Sequence, residues 1–290
     1  MTLLFDRKVE LHVFVGGQKH IIRDLHMTFD VLATRDSKPN TAKIVVFNLS
    51  ETSRNLFSES TKGIEFWAGY GEDLGMIFRG SWDPDTSVIN HAQRGTTWET
   101  HIETGDGLKE FHNTFFDKSY TAGTDVKTIL TDVAKSMGLP VLLDYDGNDT
   151  ITSGIALSGK AGHVLDGLCL EYHLRWSIQH GTVEIVEPDG TPRSEATAVL
   201  LTPDTGLVGR PTITKNGLEC ESLLLYTIKP TRLIKLDPAS IDTNLGNKQD
   251  AIKSGIKPTA YGVYIVDQIQ YTGDNMGGKF NCKITSELKP

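Results

Sequence analysis

Cysteine is scarce in this chain. Cys169, Cys220 and Cys282 are the three in 290 residues, far apart and in no CxxC spacing. That pattern disfavours both a disulfide framework and a zinc site. Long apolar runs are missing as well. No segment approaches the roughly 18 apolar residues of a membrane span. Residues 1–15 mix apolar positions with Asp6, Arg7, Lys8, Glu10 and His12, unlike a signal peptide. Nor is there an excess of positive charge. The formal net charge is −8, counting as −4 for residues 1–107, −6 for 108–192 and +2 for 193–290. A protein that grips nucleic acid needs a Lys/Arg-rich face. An acidic chain can still meet DNA as the wall of a channel along which it slides. These absences predict a soluble protein folded in a reducing cytoplasm.

What is present fits an ordinary folded protein, with 38% hydrophobic and 23% charged residues, and a length that predicts two or three domains. The first hundred residues carry strand patterns at 9–15, 27–33 and 41–48. A short helix capped by Ser50 is predicted to run to about Phe57. Ile64, Phe66, Ala68 and Tyr70 then alternate with Glu65, Trp67 and Gly69, and strands follow at 76–82 and 96–104. In the middle, Val126, Ile129, Leu130, Val133 and Met137 share one helical face behind Thr124, and Gly138 and Pro140 close it. A strand at 141–144, a helix over 160–172 and a hairpin pairing 174–178 with 182–186 across His180-Gly181 complete a compact α+β module. Strand patterns return at 211–214, 218–226, 232–237, 261–271 and 279–286, with an Asn216-Gly217 turn, and the polar stretch 238–258 reads as a long loop, an inter-subunit clasp. Trp98, Thr100, Ile102 and Thr104 repeat the alternation of Phe280, Cys282, Ile284 and Ser286, which suggests two related β-rich regions around the module.

Candidate chemistry is thin. Asp144, Asp146, Asn148 and Asp149 begin like a calcium loop, but Asp149 stands where glycine is needed and Ile155 where a bidentate Glu belongs, so a polar turn is the better reading. His163 with Asp166, and His173 beyond, lack companions that would complete a metal or acid/base site and read as surface or capping residues. Ser153-Gly154 and Ser158-Gly159 lack a nucleophile-elbow setting, and Gly69, Gly71 and Gly75 lie between strands where no helix opens to hold a phosphate. Trp67, Trp82, Trp98 and Trp176 are expected on strands, as core. No catalytic, cofactor-binding or metal-binding residue is expected.

Several short motifs resemble one family. Thr205-Gly206-Leu207-Val208-Gly209-Arg210-Pro211-Thr212, Gly217-Leu218-Glu219-Cys220, Leu223-Leu224, Ile228-Lys229-Pro230, Tyr261-Gly262-Val263-Tyr264 and Tyr271-Thr272-Gly273-Asp274 resemble the C-terminal tube domain of phage baseplate hub proteins. Ala42-Lys43-Ile44-Val45-Val46-Phe47-Asn48-Leu49-Ser50 and Gly63-Ile64-Glu65-Phe66-Trp67-Ala68-Gly69-Tyr70-Gly71 are similar to the first tube domain, and Trp176-Ser177-Ile178 with Gly181 to the middle. The resemblance implies an α+β chain, mainly antiparallel β. A tube-like β-barrel domain at 1–107 and another at 193–290 would flank the α+β module at 108–192, with strands exchanged between the chain ends. It also implies a homotrimer whose six barrels give pseudo-sixfold symmetry, with the tail tube protein, a spike or central tail-tip protein and the tape measure protein as partners. DNA would pass through the channel, in a virion baseplate assembled in the host cytoplasm, and no enzyme activity or cofactor is expected. Two other readings stay open. One is a glycan-binding or glycan-degrading tail-tip protein, supported by the strand tryptophans but lacking a credible carboxylate pair. The other is the hub of a phage-like injection or secretion machine.

Overall fold

The computed structural model describes residues 4–57, 61–82, 85–188, 197–214, 217–236 and 263–288. The chain opens with β1 (Arg7–Val15), β2 (Gln18–Ile22), β3 (Met27–Thr34), β4 (Thr41–Phe47) and a one-turn helix α1 (Glu51–Arg54). β5 (Thr61–Tyr70), β6 (Asp73–Ser81), β7 (Val88–Arg94) and β8 (Thr97–Gly105) follow. The middle holds α2 (Leu108–Asn113), β9 (Phe115–Tyr120), α3 (Val126–Ser136), β10 (Val141–Asp144), β11 (Ile155–Lys160), α4 (Ala161–Glu171), β12 (Arg175–Gln179) and β13 (Thr182–Val186). The last part adds β14 (Val199–Leu201), β15 (Leu207–Ile213), β16 (Gly217–Leu223), β17 (Leu233–Leu236), β18 (Val263–Asp274) and β19 (Phe280–Leu288). The architecture is α+β and mainly antiparallel, as expected.

The strands at the two ends of the chain form one sheet. Its order is β15-β16-β19-β18-β3-β4-β8-β7, and the seam is the antiparallel β18·β3 pair, where Tyr271 faces Val31. β17 pairs with the start of β18, and β14 lies parallel to β17. A second sheet, β2-β1-β5-β6, packs across the first. Val9, Leu11 and Val13 of β1 and Ile64, Phe66 and Ala68 of β5 are buried against Phe29, Val31, Ile44 and Ile102. Tyr271, Phe280 and Ile284 from the far end of the sequence belong to the same core. Phe280 lies edge-on to both Phe29 (5.7 Å) and Tyr70 (5.4 Å), so one aromatic cluster joins the termini. Each such fully buried side chain is worth about 1.5–3 kcal/mol relative to exposure. No sheet of the described residues closes on itself as a barrel.

The middle module has its own core. Val126, Ile129, Leu130 and Val133 of α3 pack with Leu165 and Leu168 of α4, Trp176 and Ile178 of β12, and Val183 and Ile185 of β13. The expected hairpin forms in register, Gln179 opposite Thr182, with His180 (φ 52°) and Gly181 (φ 74°) both left-handed, a type I′ turn. Several expectations shift. Asp125, whose carboxylate accepts from the Lys127 N–H at 2.9 Å, caps α3 in place of Thr124, whose hydroxyl instead donates to the Thr121 carbonyl at 2.7 Å. The Ser50-capped helix ends at Arg54, three residues early. β2, β7, β9, β11 and α2 come from segments that the strand and helix patterns left unassigned. Asn216 and residues 237–262, which include the 238–258 loop and Tyr261-Gly262, lie outside the described residues.

Candidate assembly surface

Several of the residues weighed for chemistry make local contacts. Among the described residues no group of three or more His, Cys, Asp or Glu is placed to hold a metal ion. Asp149 accepts from the Tyr145 hydroxyl, and Glu187 accepts from the Asp146 N–H at 3.3 Å, so the acidic stretch after β10 is held by its own neighbours. Asp166 accepts from the Trp176 indole N–H at 2.8 Å, satisfying the donor of a buried ring, while His163 is 70% exposed. His173 (φ 54°) ends α4: its N–H reaches the Leu170 carbonyl and the Leu174 N–H reaches that of Cys169, a Schellman motif in which histidine takes the usual glycine position. Gly75 gives room to Tyr226, since a Cβ there would lie 1.9 Å from the ring, whose hydroxyl donates to Asp73 at 2.6 Å. Only Trp176 of the four tryptophans is fully buried; Trp67 and Trp98 are half-buried on strands, and Trp82 lies just past β6. Arg54 stacks over Trp98 at 4.1 Å. The three thiols are buried, and burial pushes each up to about 12, so none is a ready nucleophile.

Charged and amide groups gather where the module meets the long sheet. Arg35, 1% exposed, donates to Asp267 (2.8 Å), to Glu287 and to the Pro188 carbonyl (3.1 Å). Arg175 of β12 approaches the same two carboxylates at 3.4 and 3.5 Å. The group therefore ties β3, β18, β19 and the module together with two charges of each sign. Asp267 sits at the β18 bulge between Val266 and Gln268. The sequence signal was there: an aspartate inside the apolar run Val263-Tyr264-Ile265-Val266-Asp267-Gln268-Ile269 breaks the alternation, as a bulge does. Nearby, Asn40 donates to the Ile178 carbonyl (3.0 Å) and to Gln179 (3.1 Å), and Gln179 donates to the Thr34 carbonyl (2.6 Å). The tip of the β12–β13 hairpin enters this junction. Asp106 accepts from the Gly181 N–H at 2.9 Å. Burial pushes its carboxyl well above the usual range, opposed by the Gly181 and His180 N–H groups and by Arg79. Burial, with Lys229, Arg232 and Arg79 close by, pulls the His180 imidazole down to about 3. Glu184, itself buried, accepts from Thr231 (2.7 Å) and Arg232 (2.9 Å).

The long sheet that this junction braces has two further properties. Its face away from the core is polar: Asn281, Thr272, Asp30, Lys43 and Glu103 lie in one cross-strand row, and Glu219, Thr285, Gln268 and Thr34 in another. Its ends are open, because among the described strands β7 pairs only with β8 and β15 only with β16. Each half repeats one plan outward from the seam, β3-β4-β8-β7 on one side and β18-β19-β16-β15 on the other. In that plan β8 matches β16 and β19 matches β4, so the two strands with similar alternation, β8 and β19, bury the same kind of face from different places.

The overall fold recurs in solved structures. The 43 kDa tail protein of prophage MuSo2 from Shewanella oneidensis superposes with a TM-score of 0.62 over 97% of this chain and 98% of that one, at 11% identity. The fold is that of phage tail proteins. A tail protein from Neisseria meningitidis MC58 gives 0.59 over 98% and 97%, at 11% identity. An Escherichia coli component of the type VI secretion system, itself similar in structure to the T4 bacteriophage tail proteins gp27 and gp5, gives 0.59 over 91% of this chain and 73% of that one, at 11% identity. No family model matches the sequence, and no curated protein matches it. The tail-protein fold reaches nearly end to end in the first two comparisons, covering the module and both halves of the long sheet.

Proposed function

We propose that the chain is a non-enzymatic hub of a phage-type tail. Three copies form a ring that joins the hexameric tail tube to a trimeric spike or tail tip and leaves a channel for DNA. The observation that carries this reading is the long sheet with its two like halves and two open edges. Three chains present six four-stranded halves, the count a hexameric tube meets. The eight strands of the main path alternate in direction, so β7 and β15 run antiparallel. A copy related by rotation about a central axis therefore brings its β15 antiparallel to β7, and the ladder continues from chain to chain. In this ring 1–107 and 193–290 act as the two tube domains and 108–192 as the outer module. The polar face lines the channel, where carboxylates and small neutral side chains let DNA pass with few cations to hold it. The tape measure protein is a further partner inside the tube, and the assembled hub belongs to the virion baseplate.

Likeness to a type VI secretion component favours a second reading, the hub of an injection machine with the same ring. Genome neighbourhood separates the two, since such machines lack capsid genes. The ring itself is tested by light scattering on the purified chain, followed by negative-stain imaging. A mass near three chains with ring-shaped particles supports it. A monomer at high concentration that forms no ring with tube or spike protein added overturns it.

A further inference from the structure

Among the described residues, the module holds a free strand edge beside a helix, away from the long sheet. β11 pairs only with β9 among the described strands and runs straight into α4 through Lys160. The ladder continues to the Ala161 N–H, which donates to the Thr114 carbonyl at 2.9 Å. Antiparallel alternation then turns residues 155, 157 and 159 toward β9 and leaves the N–H and C=O groups of Ala156, Ser158 and Lys160 facing outward. Between this edge and α4 lies a groove of about 450 Å³, with Leu157, Val164 and Leu168 along it. Small residues keep it open: a Cβ placed on Gly167 would meet no atom within 4 Å. Lys160 lies where β11 turns into α4, and Glu171, at the far end of that helix, lines the groove.

Sheet edges that must stay unpaired are usually blunted by proline, charge or a bulge. β11 shows neither a bulge nor a proline. Alternating backbone donors and acceptors at strand spacing are complementary to another extended backbone, and the apolar wall on one side selects its side chains. We infer that β11 and α4 form a docking groove for an extended segment of a partner polypeptide, which adds to β11 as a third strand and turns apolar side chains toward Val164 and Leu168. This stands apart from the hub reading, because neither edge of the long sheet takes part.

The test is selection from a displayed library of ten-residue peptides on the full-length protein, repeated on two variants. Ser158→Pro removes one outward N–H that the β9 ladder does not use. Gly167→Gln fills the groove from a helical position with free space. Expected are peptides with alternating apolar residues that slow amide exchange at Ala156 and Ser158. They should lose tenfold or more in affinity on both variants, while melting temperatures stay unchanged. Gly167→Gln keeps the question answerable should the proline variant fold poorly. The inference is overturned by a failure to enrich peptides on the wild-type chain, or by equal binding to all three proteins. It also fails if the wild-type chain fills the groove itself, as self-association that Gly167→Gln abolishes.

Discussion

Arg35 carries a charge into a place where water does not follow, and its stability depends on Asp267, Glu287 and the Pro188 carbonyl being where they are. Removing one partner of a buried pair costs about 3–5 kcal/mol, because a charge or a carbonyl is left without its match. Both carboxylates keep some solvent and Arg175 remains nearby, so Arg35→Met is expected at the low end, about 3 kcal/mol, read from urea denaturation midpoints. His180 makes the opposite kind of prediction. Its folded pKa is held at about 3, below its unfolded value of about 6.5. The unfolded chain therefore binds the extra proton first, and stability present above pH 6.5 is lost as pH falls toward 3. Asparagine suits the left-handed first position of a type I′ turn and does not titrate. His180→Asn should match wild type at pH 7.5 and lose less stability between pH 7 and 4; an equal loss in both proteins would assign the acid sensitivity elsewhere. Of these residues His180 was legible as a turn, while Arg35 was not legible at all, because its partners lie more than 150 positions away.

At the scale of elements, local pattern and tertiary pairing divided the work. α3 was readable because its apolar face repeats at helical spacing and glycine and proline follow it. β7 was not, since Val88-Ile89-Asn90-His91-Ala92-Gln93-Arg94 has little alternation and becomes a strand only by pairing with β8. The same strand offers the sharpest test of ring closure. The two-residue Gly95-Thr96 turn makes Arg94 and Thr97 a hydrogen-bonded pair, so the Gln93 N–H faces away from β8. Gln93→Pro should leave the monomer folded, with far-UV circular dichroism unchanged, and shift the light-scattering mass from trimer to monomer. A trimeric Gln93→Pro protein would mean that the ring does not close through β7.

For the whole molecule, the proposed channel wall makes charge a functional quantity. Glu219 and Glu221 lie on the polar face of β16, and replacing both with lysine changes six charges to the opposite sign in a trimer. The double variant should bind short duplex DNA with an affinity that falls steeply with salt, measured by fluorescence anisotropy, whereas wild type should bind little at the same ionic strength. Unchanged, weak binding would place that face away from the DNA path. The sequence by itself determined the mainly antiparallel α+β class, the order of β-rich, mixed and β-rich regions, and the hairpin and helix of the module, because alternation, capping and turn residues act over a few positions. Only the tertiary structure decided that β3 and β18 share a ladder and that Phe280 completes a core begun by Phe29 and Tyr70. Such contacts join residues 210 to 251 positions apart, and their energy comes from burial and pairing that exist only once both ends of the chain have met.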